Sequence, residues 1–373
     1  MVIEIVLTMS VLAADATAFT RQTVVKGLKH PWSIAFLPEG GALVTEKDGQ
    51  LQRVDLKSGQ TEQVQGFPSD LDNVRGDDPR DNSGLFDVVL HPQFAKNRLI
   101  YVSYASKGEG GTTTRVIRAR YRHPSLDQVT PILEVKPRSP DRFHYGGGMV
   151  FGPDGLLYVT IGERLFNESD QPSMPIAQNS KDGRGKIYRL RPDGNAPPGN
   201  PKFDKGSPSG MYATGIRAAQ GLAAQPGTGA IWFSEHGSRQ GDELNVLKAG
   251  ANYGWPVKTT GSFRSPTYVA PKLRRKFTDP VWYWSQTVAP TGLTFYRGSI
   301  YPEWQNDLFV AGLSRGSLWR FDVDGTRIVN AEELFPEERI RLRNVKLGPD
   351  GFLYLLTDEP QGRVMRIERA KSG

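Results

Sequence analysis

The sequence predicts an all-β chain folded as a six-bladed β-propeller. One strand–turn–strand pattern recurs six times, glycine and proline are abundant (41 and 27 of 373 residues), and almost no stretch has helical periodicity. The clearest copy runs Ala35-Phe36-Leu37-Pro38-Glu39-Gly40, then Ala42-Leu43-Val44-Thr45-Glu46, then Gln50-Leu51-Gln52-Arg53-Val54. It returns as Val150-Phe151-Gly152-Pro153-Asp154-Gly155 before Leu156-Leu157-Tyr158-Val159-Thr160, and as Leu347-Gly348-Pro349-Asp350-Gly351 before Phe352-Leu353-Tyr354-Leu355-Leu356-Thr357. Looser copies begin at Val88-Val89-Leu90-His91-Pro92, Gly221-Leu222-Ala223 and Gly292-Leu293-Thr294-Phe295-Tyr296.

Each unit consists of short β-rich runs joined by hairpin turn chemistry. Units of this kind at roughly 50 to 75 residue intervals read as blades, none able to bury both faces alone. A strand over residues 20–25 is expected to complete the last blade, because an open ring would leave sheet edges unpaired. Two β-sandwiches are the alternative; the shared pattern and the lack of a dividing linker favour one propeller over residues 19–373.

Composition narrows the rest. Hydrophobic residues are 38% and charged residues 23%, as in a globular protein. The absence of cysteine excludes disulfides, thiol catalysis and thiolate metal sites. The net charge is +7, with the basic residues spread along the chain. Their densest clusters, at Lys272, Arg274, Arg275 and Lys276 and at Arg339, Arg341 and Arg343, read as solvated surface, and no nucleic-acid-binding module accompanies them. Residues 1–12 are mostly apolar and Ala16-Thr17-Ala18 resembles a cleavage site, although Glu4 is present and a basic start is missing. The expectation is a signal peptide over residues 1–18 and a periplasmic or secreted protein. No run is long enough to span a bilayer.

Propellers carry function on loops at one end of the channel, so the irregular stretches beside the repeats hold the candidates. The first is Phe143-His144-Tyr145-Gly146-Gly147-Gly148, where three glycines permit close backbone approach and His144 can exchange a proton near neutral pH. The second, Ser234-Glu235-His236-Gly237-Ser238-Arg239-Gln240-Gly241-Asp242-Glu243, gathers oxygen donors suited to a hard cation, without EF-hand spacing. The third, Gly215-Ile216-Arg217-Ala218-Ala219-Gln220-Gly221, offers an arginine for a carboxylate or carbonyl. A fourth joins Ala289-Pro290-Thr291-Gly292 to Arg297 and Ser314-Arg315-Gly316. Each is also readable as an ordinary surface loop. His30, His91 and His123 stand beside prolines and read as structural. Walker, dinucleotide-binding and His-Glu-x-x-His motifs are absent.

Taken in order, these blocks resemble the soluble quinoprotein (pyrroloquinoline quinone-dependent) glucose and aldose sugar dehydrogenases over residues 28–367. The likeness rests on His30-Pro31-Trp32-Ser33-Ile34, Gly84-Leu85-Phe86-Asp87-Val88, the block 237–245, Gly250-Ala251-Asn252-Tyr253-Gly254-Trp255-Pro256, Ala289-Pro290-Thr291-Gly292 and Thr357-Asp358-Glu359. The resemblance implies oxidation of an aldose to a lactone by an enzyme using pyrroloquinoline quinone (PQQ) and calcium. It makes His144 the base for the anomeric hydroxyl and Arg217 the partner of the quinone carbonyl. Asn82, Gln220, His236, Thr287, Arg297 and Arg315 would contact the cofactor. The carbonyls of Gly237 and Ser238 would hold calcium, with Asp242 supporting the loop. A small-molecule sugar, an external electron acceptor and a monomeric or homodimeric state are implied with them. Asn82 stands where the family has Gln, Ala218 where it has Asn, and Ser238 where it has Pro. A non-catalytic carbohydrate- or protein-binding propeller and a calcium-dependent lactonase-like hydrolase are the alternatives.

Overall fold

The structure is a computed structural model describing residues 19–73, 81–165, 174–314 and 316–370. Six four-stranded antiparallel sheets surround a central channel; five are built from the inside outward in chain order, and the sixth takes the chain's first strand as its outermost. The innermost strands are Pro31–Phe36, Leu85–Leu90, Gly146–Phe151, Ala219–Ala224, Pro290–Phe295 and Leu342–Leu347, and each packs against the innermost strands of both neighbours. These are blades one to six, and the expected six-bladed propeller is the fold. The signal peptide proposed for residues 1–18 lies outside the described residues.

Alternation along the strands explains why the ring is needed. Blade one's apolar side chains divide between the two faces of its sheet. Leu43 and Ala35 join Leu85, Val102 and Ile117 of blade two, while Ile34 and Val44 join Leu356 and Val364 of blade six. The remaining main clusters likewise straddle adjacent blades. A single blade would therefore expose both faces to water, and truncating one such residue, as in Leu43→Ala, would cost about 2–5 kcal/mol.

Closure comes from both ends of the chain. Phe19–Leu28 pairs antiparallel with Gly362–Arg369, from Phe19 opposite Arg369 to Leu28 opposite Gly362. The expected N-terminal strand thus becomes the outer strand of blade six. Polar latches link blades around the channel as well. Asp87 accepts bonds from Ser33 Oγ (2.5 Å) and the Met149 amide (2.8 Å), joining blades one, two and three. Asn344 Nδ2 donates to the Trp32 carbonyl at 3.0 Å, joining blade six to blade one.

All six innermost strands break register near their first residues, between Pro31 and Ser33, Leu85 and Val88, Gly146 and Met149, Ala219 and Gly221, Pro290 and Leu293, and Leu342 and Asn344. Such bulges re-aim side chains. They occur at one end of the channel, and the principal cavity opens there. Among the described residues no helix is long and apolar enough to cross a membrane.

Candidate active site

A cavity of about 720 Å³ lies at the bulged end of the channel. Its lining includes His144, Arg217, Asn82, Gln220, His236, Gly237, Ser238, Asp242 and Thr287. Loops separated by two hundred residues are thus brought together around one space.

His144 sits just before the innermost strand of blade three. Its φ of 47° is a left-handed conformation uncommon outside glycine. His30 and Ala289 enter blades one and five the same way, at φ 47° and 51°, and both line the cavity. Strain of this kind persists only where surrounding structure fixes it. Gly162 provides part of that fixation, because a Cβ there would lie 1.9 Å from the His144 carbonyl oxygen. Gly147 permits the other close approach, since its Cβ would collide with the Phe86 ring.

Nδ1 of His144 lies 2.6 Å from Oε1 of Glu163, whose side chain is 1% exposed. An ionised carboxylate can only accept, so Nδ1 carries the proton and Nε2 keeps its lone pair. Burial, followed by the guanidiniums of Arg217, Arg264 and Arg164, holds His144 well below the ordinary histidine value. The imidazole is therefore neutral at pH 7 and able to accept a proton.

Arg217 is buried, with its guanidinium 5.1 Å from the centre of the Trp255 ring. Nη1 donates to the His236 carbonyl at 3.2 Å, and the backbone amide donates to Glu235. Burial, then its neighbour Glu243, pushes Glu235 up to about 8. Burial also pushes His236 down to about 4, leaving a neutral ring in the cavity wall. Nε of Arg217, Nε of Arg343 and Nε2 of His236 are buried without a hydrogen-bond partner among the described residues.

The opposite wall was missed in the sequence. Arg341 and Arg343 both line the cavity, Arg343 buried in its wall and Arg341 still exposed. Both donate to Oδ2 of Asp358, at 2.9 and 2.8 Å, while His30 Nδ1 lies 3.2 Å from Oδ1. Burial pushes Asp358 up, but Arg343, the His30 bond, Lys47 and Arg341 together hold it well below the usual carboxylate range. His30 is thus part of the site rather than of a turn alone. Gln220 Oε1 accepts from Arg343 at 2.6 Å. The lining has five permanent cations, Lys47, Arg217, Arg264, Arg341 and Arg343, against the carboxylates Asp81, Asp242 and Asp358. Its charge suits an anionic ligand.

One expected contact falls elsewhere. Arg297 follows the far end of the blade five strand whose first residues face the cavity; its guanidinium approaches Gly227, in the turn between the inner strands of blade four. The strand's length separates it from the site. Arg315 lies outside the described residues. Ala218 is buried beside Arg217 and does not line the cavity.

The loop expected to bind calcium is held by Asp242. Its Oδ1 accepts from the Gly237 amide at 2.8 Å, and Oδ2 accepts from the Val288 and Ala289 amides at 2.7 Å each. The Ser238 carbonyl accepts from Arg264 Nε at 3.2 Å. Among the described residues no group of three acidic or histidine side chains could hold a metal ion. Asp242 supports the loop through these amides, but a guanidinium stands at one of the two proposed calcium ligands, so the donor set does not fit calcium. It fits an anionic planar group better, through the cationic wall and the unpartnered donors.

The fold and this cavity define a propeller with a buried proton acceptor facing a cationic wall. Residues 28–366 match the Glucose / Sorbosone dehydrogenase family, and the chain belongs to it. It is therefore an oxidoreductase. The aldose sugar dehydrogenase YliI of Escherichia coli is 32% identical, over 97% of this chain and 96% of that protein. Quinoprotein glucose dehydrogenase B of Acinetobacter calcoaceticus is 29% identical over 92% and 86%. The apo crystal structure of the soluble E. coli aldose sugar dehydrogenase superposes with a TM-score of 0.84, covering 94% of this chain and 99% of that one at 32% identity. The PQQ-bound form of aldose sugar dehydrogenase from Streptomyces coelicolor gives 0.74 at 28% identity, covering 96% and 100%.

Proposed function

We propose that this protein oxidises aldose sugars, or related alcohols, to lactones, with His144 as general base and pyrroloquinoline quinone as cofactor. The observation that carries the reading is the neutral His144, oriented by Glu163, in one cavity with Arg217 and the Arg341–Arg343 wall. Bound PQQ would supply the two-electron acceptor for the hydride leaving the sugar's anomeric carbon.

The chain's own residues do the rest. Nε2 of His144 takes the proton of the anomeric hydroxyl, and Glu163 stabilises the imidazolium that forms. Arg341 and Arg343 would pair with cofactor carboxylates, the bidentate geometry for which guanidinium is suited. Arg217, with Nε unpartnered, would donate to a quinone oxygen on which negative charge develops. Asn82, Gln220, His236 and Thr287 would contact the cofactor around its edge. No step is assigned to calcium. Delivery of electrons to an external acceptor, a periplasmic or secreted location and a monomeric or homodimeric state belong to the same reading.

The test is an absorbance titration of purified protein with PQQ, with and without calcium, followed by dye reduction over a panel of aldoses. Saturable binding and sugar-dependent reduction are expected. Absence of any binding would sink the proposal.

A further inference from the structure

The outer rim of the cavity carries a feature that sugar oxidation itself does not use. Residues 256–281, between the last two strands of blade four, contain six basic residues and one acidic one. That is a local surplus of five positive charges. Lys258 and Asp279 pair with each other. Arg264 turns inward to the Ser238 carbonyl, and Arg275 Nη1 pins the loop to the Gln178 carbonyl of blade three at 2.6 Å. Lys272, Arg274 and Lys276 remain exposed.

An independent observation falls on the same rim. The large exposed hydrophobic residues among the described residues are Val269 (71%), Tyr283 (56%) and Met174 (43%). Val269 lies within the loop, Tyr283 two residues beyond its end, and Met174 four residues before Gln178. Tyr283 pairs with Glu243 at the cavity end of its sheet. Val269 thus stands exposed three residues from Lys272 in a loop rich in like charge, a composition suited to a protein docking surface.

We infer that this rim docks an acidic, one-electron redox protein that removes electrons from the site. The inference rests on the oxidation reading above. Conversion of an aldose to its lactone releases two electrons and two protons; a one-electron carrier must accept twice per turnover, with both protons passing to solvent. A positive rim contiguous with the cavity through Arg264 would steer an acidic carrier to the mouth and orient it there.

The test is binding of an acidic c-type cytochrome to the PQQ-loaded protein, by calorimetry at low and high salt, with a basic c-type cytochrome as control. Tighter binding of the acidic protein is expected, weakening at least tenfold as salt is raised. The Lys272→Glu/Arg274→Glu/Lys276→Glu variant should bind it at least tenfold more weakly, and Val269→Ser several-fold more weakly. Turnover with a small neutral quinone as acceptor should stay within twofold in both variants. Equal binding of the two cytochromes, or unchanged binding by the triple variant, overturns the inference. Failure of the wild type to turn over with the neutral quinone would instead strike the oxidation reading, because the binding arm needs no catalysis.

Discussion

His144 and Glu163 share a hydrogen bond of 2.6 Å between Nδ1 and Oε1, with the carboxylate buried and the imidazole open to the cavity. The bond selects the tautomer and fixes the ring, so Glu163 is a positioning residue. Glu163→Gln should lower kcat by about 10²-fold or more while KM and PQQ affinity change little. The pH profile separates this role from a merely structural one. The base works when neutral, and its folded value is already held well below 6.5 by burial and three guanidiniums. The acid limb of kcat/KM should therefore lie below the ordinary histidine range, and should move lower still in Glu163→Gln, which cannot stabilise the imidazolium. An unmoved limb would exclude the dyad from catalysis.

The Arg343–Asp358–Arg341 cluster predicts cofactor affinity. Arg343→Ala removes a buried charged donor and leaves Asp358 less compensated, facing an anionic ligand. PQQ binding should weaken by about 10- to 100-fold, the effect of losing one charge-assisted bond of ~1.5–3 kcal/mol. Arg297→Ala, at the far end of blade five, should leave it within about twofold. Fluorescence titration of both variants checks the assignment.

These residues also show what could be read before the structure. The repeat was legible because it is local: each hairpin turn lies within a few residues of the strands it joins. His144, Arg217 and the 237–242 loop were legible because they interrupt that repeat. Glu163 was not singled out, although it follows the second strand of the same blade; the pairing of Gly146 with Ile161 is what returns that strand's end to His144. Arg341 and Arg343 were read as surface because a charge cluster usually is. Their two-residue spacing at the entry of an innermost strand was the available signal, since it places both on one face. Arg297 was assigned to the cofactor from the resemblance alone, which does not register that the length of a strand separates it from Ala289.

Arg264 makes a prediction about calcium. Its Nε occupies the Ser238 carbonyl, where a cation would meet both competition and like-charge repulsion. Arg264→Ala should therefore tighten calcium binding to the PQQ-loaded protein, by about tenfold for a relief of ~1.4 kcal/mol. Calorimetric titration with calcium measures this directly. Unchanged affinity would show that Arg264 does not compete at the loop.

Asp242 holds that loop through three amides, two of them from the entrance to blade five. Asn in its place retains one acceptor oxygen and turns an NH₂ toward backbone donors. Asp242→Asn should destabilise the protein by about 2–4 kcal/mol, lowering Tm, and should also weaken PQQ binding by loosening Gly237 and Ser238. Equal Tm with reduced affinity would mean that the clamp orders the loop without supporting the ring.

Ring closure supplies the last prediction. The strand Phe19–Leu28 covers the outer edge of Gly362–Arg369, and Phe19 packs against Trp304 of blade five with ring centres 4.4 Å apart. Removal of residues 1–18 leaves the strand Phe19–Leu28 in the chain and serves as the control. Removal of residues 1–28 strips the strand from blade six and bares an edge able to pair with other chains. That variant should lose cooperative unfolding and aggregate, as followed by circular dichroism and light scattering on heating. A soluble ring with unaltered Tm after the longer truncation would show that the latches at Asp87 and Asn344 close the propeller without its N-terminal strand.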